Sequence, residues 1–300
     1  MPETPTSSNS SQRLRPVSSH QNPLLKDLRG VYAHGTLTED GCYAIEGVRL
    51  MEEAIRSGVQ FRAVFFSDSA AGVMERLLQQ IGRKVDALLV PAKLFKDVVT
   101  SEAPQGVAAL VYAKRTSLAD VLEDGQPPLL VVAAGLQDPG NLGTILRSAE
   151  AFGAGGVLLG EGTVSVYNPK TVRATAGSIF RMPALPVKLS EAIPLLRESG
   201  VRLFATSSHK GTSLEQAQFT GPAAFFIGNE GAGLPREFGQ QMDEFLAIPH
   251  AQTVESLNAG IAASIILYET ARQRRTSEKF QLDDGRVKTS RTSVSAPHKR

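Results

Sequence analysis

The chain has a single cysteine, Cys42, among its 300 residues, so no intrachain disulfide can form and a reducing, cytoplasmic setting is expected. Long apolar runs are missing as well. The longest uncharged apolar stretch, Ser256–Tyr268, lies between Glu255 and Glu269 and falls short of the roughly 20 residues a membrane helix needs. The first twenty residues are rich in Ser, Thr and Pro and hold no apolar run, so no secretory signal is expected. Five histidines (His20, His34, His209, His250, His298) are scattered, with no Cys or His partner at metal-ligand spacing. No metal site is therefore expected. No internal repeat is visible.

What is present is an ordinary globular composition. With 42% hydrophobic and 21% charged residues, the profile is that of an α/β protein, and 300 residues are enough for two domains with separate cores. The net charge of +2 hides an asymmetry. Residues 271–300 carry nine Lys or Arg against three acids, a surplus of six, which leaves residues 1–270 at −4. A basic tail on a mildly acidic body fits a polyanionic partner such as RNA, and equally a solvated tail that aids solubility.

Residues 1–20 read as disordered. Over 21–115 strands and helices alternate: a helix at 47–57 with Val48, Met51, Ala54 and Ile55 on one face, a strand at 62–67, a helix near 73–81, and strands at 87–91 and 106–112. This predicts a small α/β domain. Residues 116–128 read as a linker with room for one short helix. A second α/β unit, 129–275, opens on Leu129-Leu130-Val131-Val132-Ala133, which lacks alternation, as a parallel strand covered on both faces does. A helix is expected at 142–152, strands at 157–159, 201–205, 223–227 and 245–248, and a last helix at 256–272. Disorder is expected over 276–300.

Three segments bear chemistry, each a glycine- or amide-rich stretch after an expected strand, where α/β proteins place ligand loops. The first, from Asp138 to Glu150, contains Asn141, Gly143 and Arg147. Asn141 sits where it could cap the following helix. Arg147 lies early on that helix, either pointing into a cleft or solvated on the surface. The second, Ile227-Gly228-Asn229-Glu230-Gly231-Ala232-Gly233-Leu234-Pro235, is spaced G-x-x-G-x-G and interrupted by Pro235, so it is not a dinucleotide fingerprint. Neither glycine segment is followed by Lys-Ser/Thr, which excludes a phosphate-cradling P-loop. In the third, Ile248 to Ala263, Ser256 and Asn258 flank Leu257 at a helix start. One cap needs only one of them, and His250 reads as a satisfied loop histidine.

Taken in order, these segments resemble the three signature motifs of the SpoU (TrmH-like) family of RNA 2′-O-ribose methyltransferases, within the SPOUT superfamily: Asn-x-Gly-x-x-x-Arg, Gly-x-Glu-Gly-x-Gly and Ile-Pro…Glu-Ser-Leu-Asn. The resemblance is close over 129–272. It extends more faintly to 22–113 through Ala44-Ile45-Glu46-Gly47 and Gln105-Gly106-Val107. His250 and Ala259-Gly260 depart from the usual motif residues.

The resemblance implies a C-terminal parallel-sheet domain threaded into a trefoil knot, preceded by a small ribosomal-protein-like substrate-binding domain, and a homodimer joined through the knotted domain. It implies S-adenosylmethionine as cofactor, held by Thr206, Ser207, Gly228, Asn229, Gly231, Ile248, Pro249 and Leu257. RNA would be the substrate, ribosomal rather than transfer RNA because of the extra domain. Arg147 would grip a phosphate or the forming alkoxide, while Asn141, Glu230, Ser256 and Asn258 orient the reacting groups. The competing readings are a transfer-RNA 2′-O-methyltransferase, a non-catalytic RNA-binding relative and a nucleotide-dependent oxidoreductase with atypical glycine loops.

Overall fold

The computed structural model describes residues 13–123, 128–208, 210–251 and 253–286, with side chains as far as residue 277. In chain order the N-terminal half contains β1 (Leu14–Pro16), α1 (Pro23–His34), β2 (Cys42–Glu46), α2 (Val48–Arg56), β3 (Phe61–Ser67), α3 (Ala71–Leu78), β4 (Asp86–Val90), α4 (Ala92–Val98), β5 (Val107–Tyr112) and α5 (Leu118–Leu122). Then follow β6 (Leu129–Ala134), α6 (Pro139–Ala151), β7 (Gly156–Leu159), α7 (Pro169–Ala174), β8 (Ala184–Pro186), α8 (Leu189–Glu198), β9 (Arg202–Ser207) and β10 (Thr212–Ser213). The chain continues through β11 (Ala223–Gly228), α9 (Arg236–Gly239), β12 (Glu244–Ala247) and α10 (Ala259–Arg286).

Two sheets result. The first has the order β1-β4-β3-β5-β2, in which β5 alone runs against the rest. Every pairing of the second, ordered β10-β12-β9-β11-β6-β7-β8, is parallel. β6 lies next to the central strand, β11, with all six residues buried, which is why its sequence shows no alternation. Beneath β9 and β11, Phe204, Phe219 and Phe225 pack with all three ring centroids 5.3 Å apart. Such pairs contribute about 0.5–1.5 kcal/mol each beyond their burial. They fix the two strands whose ends carry Thr206 and Gly228.

Three expectations need correction. Disorder over 1–20 is wrong from residue 13 onward. Arg13 donates to the carbonyls of Leu78 and Ile81, β1 pairs with β4, and Val17 is buried. An edge strand of three residues is too short to leave a periodic signal. Disorder from 276 is also wrong as far as Arg286, because α10 continues there. A helix already anchored by packing adds one hydrogen bond per residue, and nothing before Arg286 stops it. The remainder, 1–12 and 287–300, lies outside the described residues. Finally, α6 starts three residues earlier than expected, with Asp138 rather than Asn141 as its cap: Asp138 Oδ1 accepts from Asn141 N–H at 2.7 Å.

The halves meet through α7. Its Val172, with Phe180 beyond it, joins the core of the first sheet, and the Tyr43 and Tyr167 rings pack tilted at 38° with centroids 5.0 Å apart. Arg181 pairs with Glu150 and also donates to Ser57 Oγ at 2.7 Å.

Candidate functional site

Parallel strands end on one edge, so the loops after β6, β9, β11 and β12 converge however far apart they are in sequence. The loops after β9, β11 and β12 enclose a cavity of about 600 Å³, and the loop after β6 braces its wall. Thr206 and Ser207 end β9, Gly228 ends β11, and Asn229, Glu230 and Gly231 follow it. Ile248, Ser256, Leu257 and Asn258 come from the segment between β12 and α10.

Gly228 is required by close approach. A Cβ there would stand 2.4 Å from both Gly233 C and Leu234 N, because the loop folds back on itself. That fold is held by Asn229, whose backbone pairs both ways with Gly233. Its Oδ1 accepts from Gly231 and Ala232 N–H at 3.0 Å each, and its Nδ2 donates to Gly135 O at 2.9 Å. The last bond ties the loop after β11 to the loop after β6.

Glu230 completes the tie. Its carboxylate accepts from Gln137 N–H at 3.3 Å, from Asp138 N–H at 3.2 Å and from Asn141 Nδ2 at 3.0 Å. Partial burial pushes this carboxyl up, but the Asn141 amide and the backbone N–H donors outweigh it and hold it below the usual carboxylate range. Glu230 is therefore an anion at neutral pH, an acceptor rather than a base.

Asn258 caps α10, its Oδ1 accepting from Gly260 N–H at 3.0 Å and Ile261 N–H at 3.2 Å. Ser256 is exposed on the cavity wall and takes no part in the cap. The pair thus divides into one capping residue and one hydroxyl free of that task. Thr206 Oγ1 donates to Phe226 O at 3.4 Å, and Ser207 Oγ accepts from Lys210 N–H at 3.2 Å.

Three of the expected residues, Pro249, Arg147 and Asn141, do not line the cavity. Pro249 is exposed outside it. Arg147 projects into solvent from α6 and has no hydrogen bond or ion pair among the described residues. Six residues beyond Asn141, it lies roughly 9 Å along the helix axis and faces another side. Asn141 also stands behind the wall, acting through Glu230. Sequence reasoning missed Leu246 on the wall, which has no motif signal of its own, and passed over Glu255, although it belongs to the third motif. His250 also lines the cavity. Its Nδ1–H donates to Ile248 O at 2.7 Å, so it is a loop histidine with a partner, as read. No cluster of groups able to hold a metal ion occurs among the described residues, and no described helix is long and apolar enough to cross a membrane.

Comparison with known proteins matches this cavity-bearing region, residues 128–268, to the SpoU rRNA Methylase family, and residues 22–109 to an MRM3-like substrate binding domain. The chain is 29% identical over 255 residues to the 23S rRNA (guanosine(2553)-2'-O)-methyltransferase RlmP of Bacillus subtilis, covering 85% of this chain and 98% of that one. It is 33% identical over 268 residues to an uncharacterized tRNA/rRNA methyltransferase of Synechocystis sp., covering 86% and 94%. The crystal structure of the SpoU methyltransferase AviRb from Streptomyces viridochromogenes, in complex with the cofactor AdoMet, superposes with a TM-score of 0.74 at 29% identity, over 85% of this chain and 99% of that one. A family model laid on the seven-stranded sheet and a relative one-third identical along nearly its whole length make this chain a member of the SpoU rRNA methylase family.

Proposed function

We propose that the protein transfers a methyl group from S-adenosylmethionine to a ribose 2′-hydroxyl of structured RNA, with 23S ribosomal RNA as the substrate. The observation that carries this reading is the Asn141–Glu230 hydrogen bond. It joins the segment bearing Arg147 to the wall of a cavity lined by the second and third signature motifs and the end of β9.

The cavity fits the cofactor. About 600 Å³ lies in the range that holds small cofactors, and Ile227, Leu246 and Leu257 offer apolar faces to a flat ring. The Gly228 cradle allows backbone approach, which suits a cofactor-binding role for Thr206, Ser207, Gly228, Asn229, Gly231, Ile248 and Leu257. Pro249 would act only by shaping the turn. When bound, S-adenosylmethionine supplies an electrophilic methyl group on a positively charged sulfur.

The chain must then position a poor nucleophile. Arg147 presents a planar fork of N–H donors, so it serves as a grip on the phosphate beside the target ribose, or on the alkoxide as it forms. Glu230 and Asn141 are positioning residues that fix the start of α6 and hence the reach of Arg147. Ser256 presents its hydroxyl to the reacting groups, and Asn258 fixes the α10 end of the wall.

Arg147 occupies the strip of α6 between Gly143, which touches Ala174, and Ser148, which bonds Ser264 of α10 at 2.7 Å. On α10, Ile261 and Tyr268, seven residues apart on one face, are 52% and 51% exposed. Apolar side chains exposed beside an unpaired arginine favour a cytoplasmic homodimer in which this face carries Arg147 to the partner's cavity. We assign 21–115 to RNA substrate binding and 129–275 to a methyltransferase domain whose last loop is threaded as a trefoil knot, joined by 116–128. Mapping 2′-O-methyl sites in total RNA from cells with and without the gene tests the reaction. Loss of one ribosomal RNA site is expected, and an unchanged map overturns the proposal.

A further inference from the structure

A second cavity, of about 280 Å³, lies at the seam of the two halves and plays no part in the reading above. Its wall includes Glu46, Gly47, Arg49, Ser101, Gln105 and Arg173. Glu46 ends β2 and is only 7% exposed, yet its Oε2 has no hydrogen-bond partner among the described residues. Burial pushes its carboxyl above the usual range, against the opposing pull of the Ser101 hydrogen bond and the Arg173 charge. A buried acceptor left unpaired is destabilising, and a ligand donor would remove that cost.

The rest of the wall has the opposite character. Arg49 is exposed with no ion pair among the described residues, and Arg173 spends one N–H on Thr100 Oγ1 at 3.1 Å. Gly47 caps α2 without a side-chain acceptor, and only Val48 N–H is met from outside the helix, by Gln105 Oε1 at 2.8 Å. The first turn of this nine-residue helix therefore adds its positive end to two guanidinium groups. One acceptor facing an anion-binding wall matches a nucleotide, which has N–H donors on its base and a negative phosphate.

Location connects this cavity to the proposed reaction. Ala174 of α7 touches Gly143, one turn before Arg147 on the same side of α6, while Arg173 and Ala176 face the cavity. It thus lies about one helix width, ~10 Å, from the strip that bears Arg147.

We propose that this cavity receives one nucleotide of the RNA substrate. Glu46 accepts from an exocyclic amino group of its base, and Arg49, Arg173 and the start of α2 hold the adjacent phosphate. The choice of RNA rests on the methyltransferase reading.

The test titrates the full-length protein with CMP, GMP, UMP and inorganic phosphate, followed by ligand-observed NMR. CMP or GMP should bind about tenfold more tightly than UMP, which has no amino group, because one hydrogen bond to a charged group is lost. Glu46→Met, which has no oxygen acceptor and is shown to be folded by its thermal melt, should bring all three nucleotides to the UMP level. Arg49→Ala should weaken all three equally and keep the preference. If UMP matches both amino-bearing nucleotides, if phosphate alone competes as well as they do, or if Glu46→Met keeps the preference, the inference falls. Calorimetry with S-adenosylmethionine on the same preparations reads the larger cavity separately. Cofactor binding without nucleotide binding overturns this inference alone, and the reverse overturns the methyltransferase reading alone.

Discussion

The two sheets solve the problem of assembling a site differently. In the seven-stranded sheet every strand points the same way, so four loops drawn from residues 135 to 258 meet at one edge, and those after β9, β11 and β12 enclose the larger cavity. In the five-stranded sheet β5 is reversed, so the ends of β2 and β3 share an edge with the start of β5. That edge gathers Glu46 and Gln105, but its cavity closes only with Arg173, borrowed from α7 of the other half. A uniform sheet builds a self-contained cavity, whereas a mixed one builds half a cavity and depends on the seam.

The sharpest test of this contrast is Arg147→Ala. Its effect should appear in the reaction and not in the cavity: the single-turnover methyl-transfer rate should fall by ~10³-fold, as when one oxyanion donor is removed, with cofactor affinity unchanged. A variant keeping a tenth of the wild-type rate would end that assignment.

Gly228→Val should come next. Its side chain meets backbone rather than a movable side chain, so the loop after β11 must open. We expect a loss of ~100-fold in S-adenosylmethionine affinity by calorimetry, the upper end of an overpacking penalty, in a protein that remains folded. Normal affinity in the folded variant would show that the cofactor sits elsewhere.

Glu230→Gln should be milder and dependent on pH. The folded carboxyl titrates below its unfolded value, so the stability it contributes is full above the unfolded pKa and is lost as pH falls through the folded one. The melting-temperature gap between wild type and variant should be flat from about pH 8 to pH 6 and close below about pH 4. Because Glu230 is exposed, solvent screening keeps that gap to about 2 °C. A gap that widens in acid would reverse the assigned charge state.

Arg181→Ala probes the seam and should matter least. Its partners Glu150, Glu53 and Ser57 span both halves, but the group is partly exposed, and such bridges contribute about 0–1 kcal/mol. The melting temperature should drop by only about 2 °C. Cofactor affinity should not change, whereas a loss of cofactor binding would mean the large cavity is not self-contained.

The sequence by itself determined the α/β class, the unbroken apolar β6, and the three segments that line or brace the larger cavity. These are local properties: hydrophobic period, glycine placement and amide-rich loops are written in consecutive residues. It could not show that Asp138 rather than Asn141 caps α6, since both are good capping residues and only the backbone start of the helix decides between them. Nor could it show that Asn141 turns toward Glu230, 89 positions away. The ordering of β1 and the extension of α10 to Arg286 were likewise invisible, because short edge strands and helix propagation depend on neighbours supplied by the fold. The seam cavity was the least legible feature. Glu46, Gln105 and Arg173 belong to segments with no shared pattern, and only the packing of α7 on β2 brings them together.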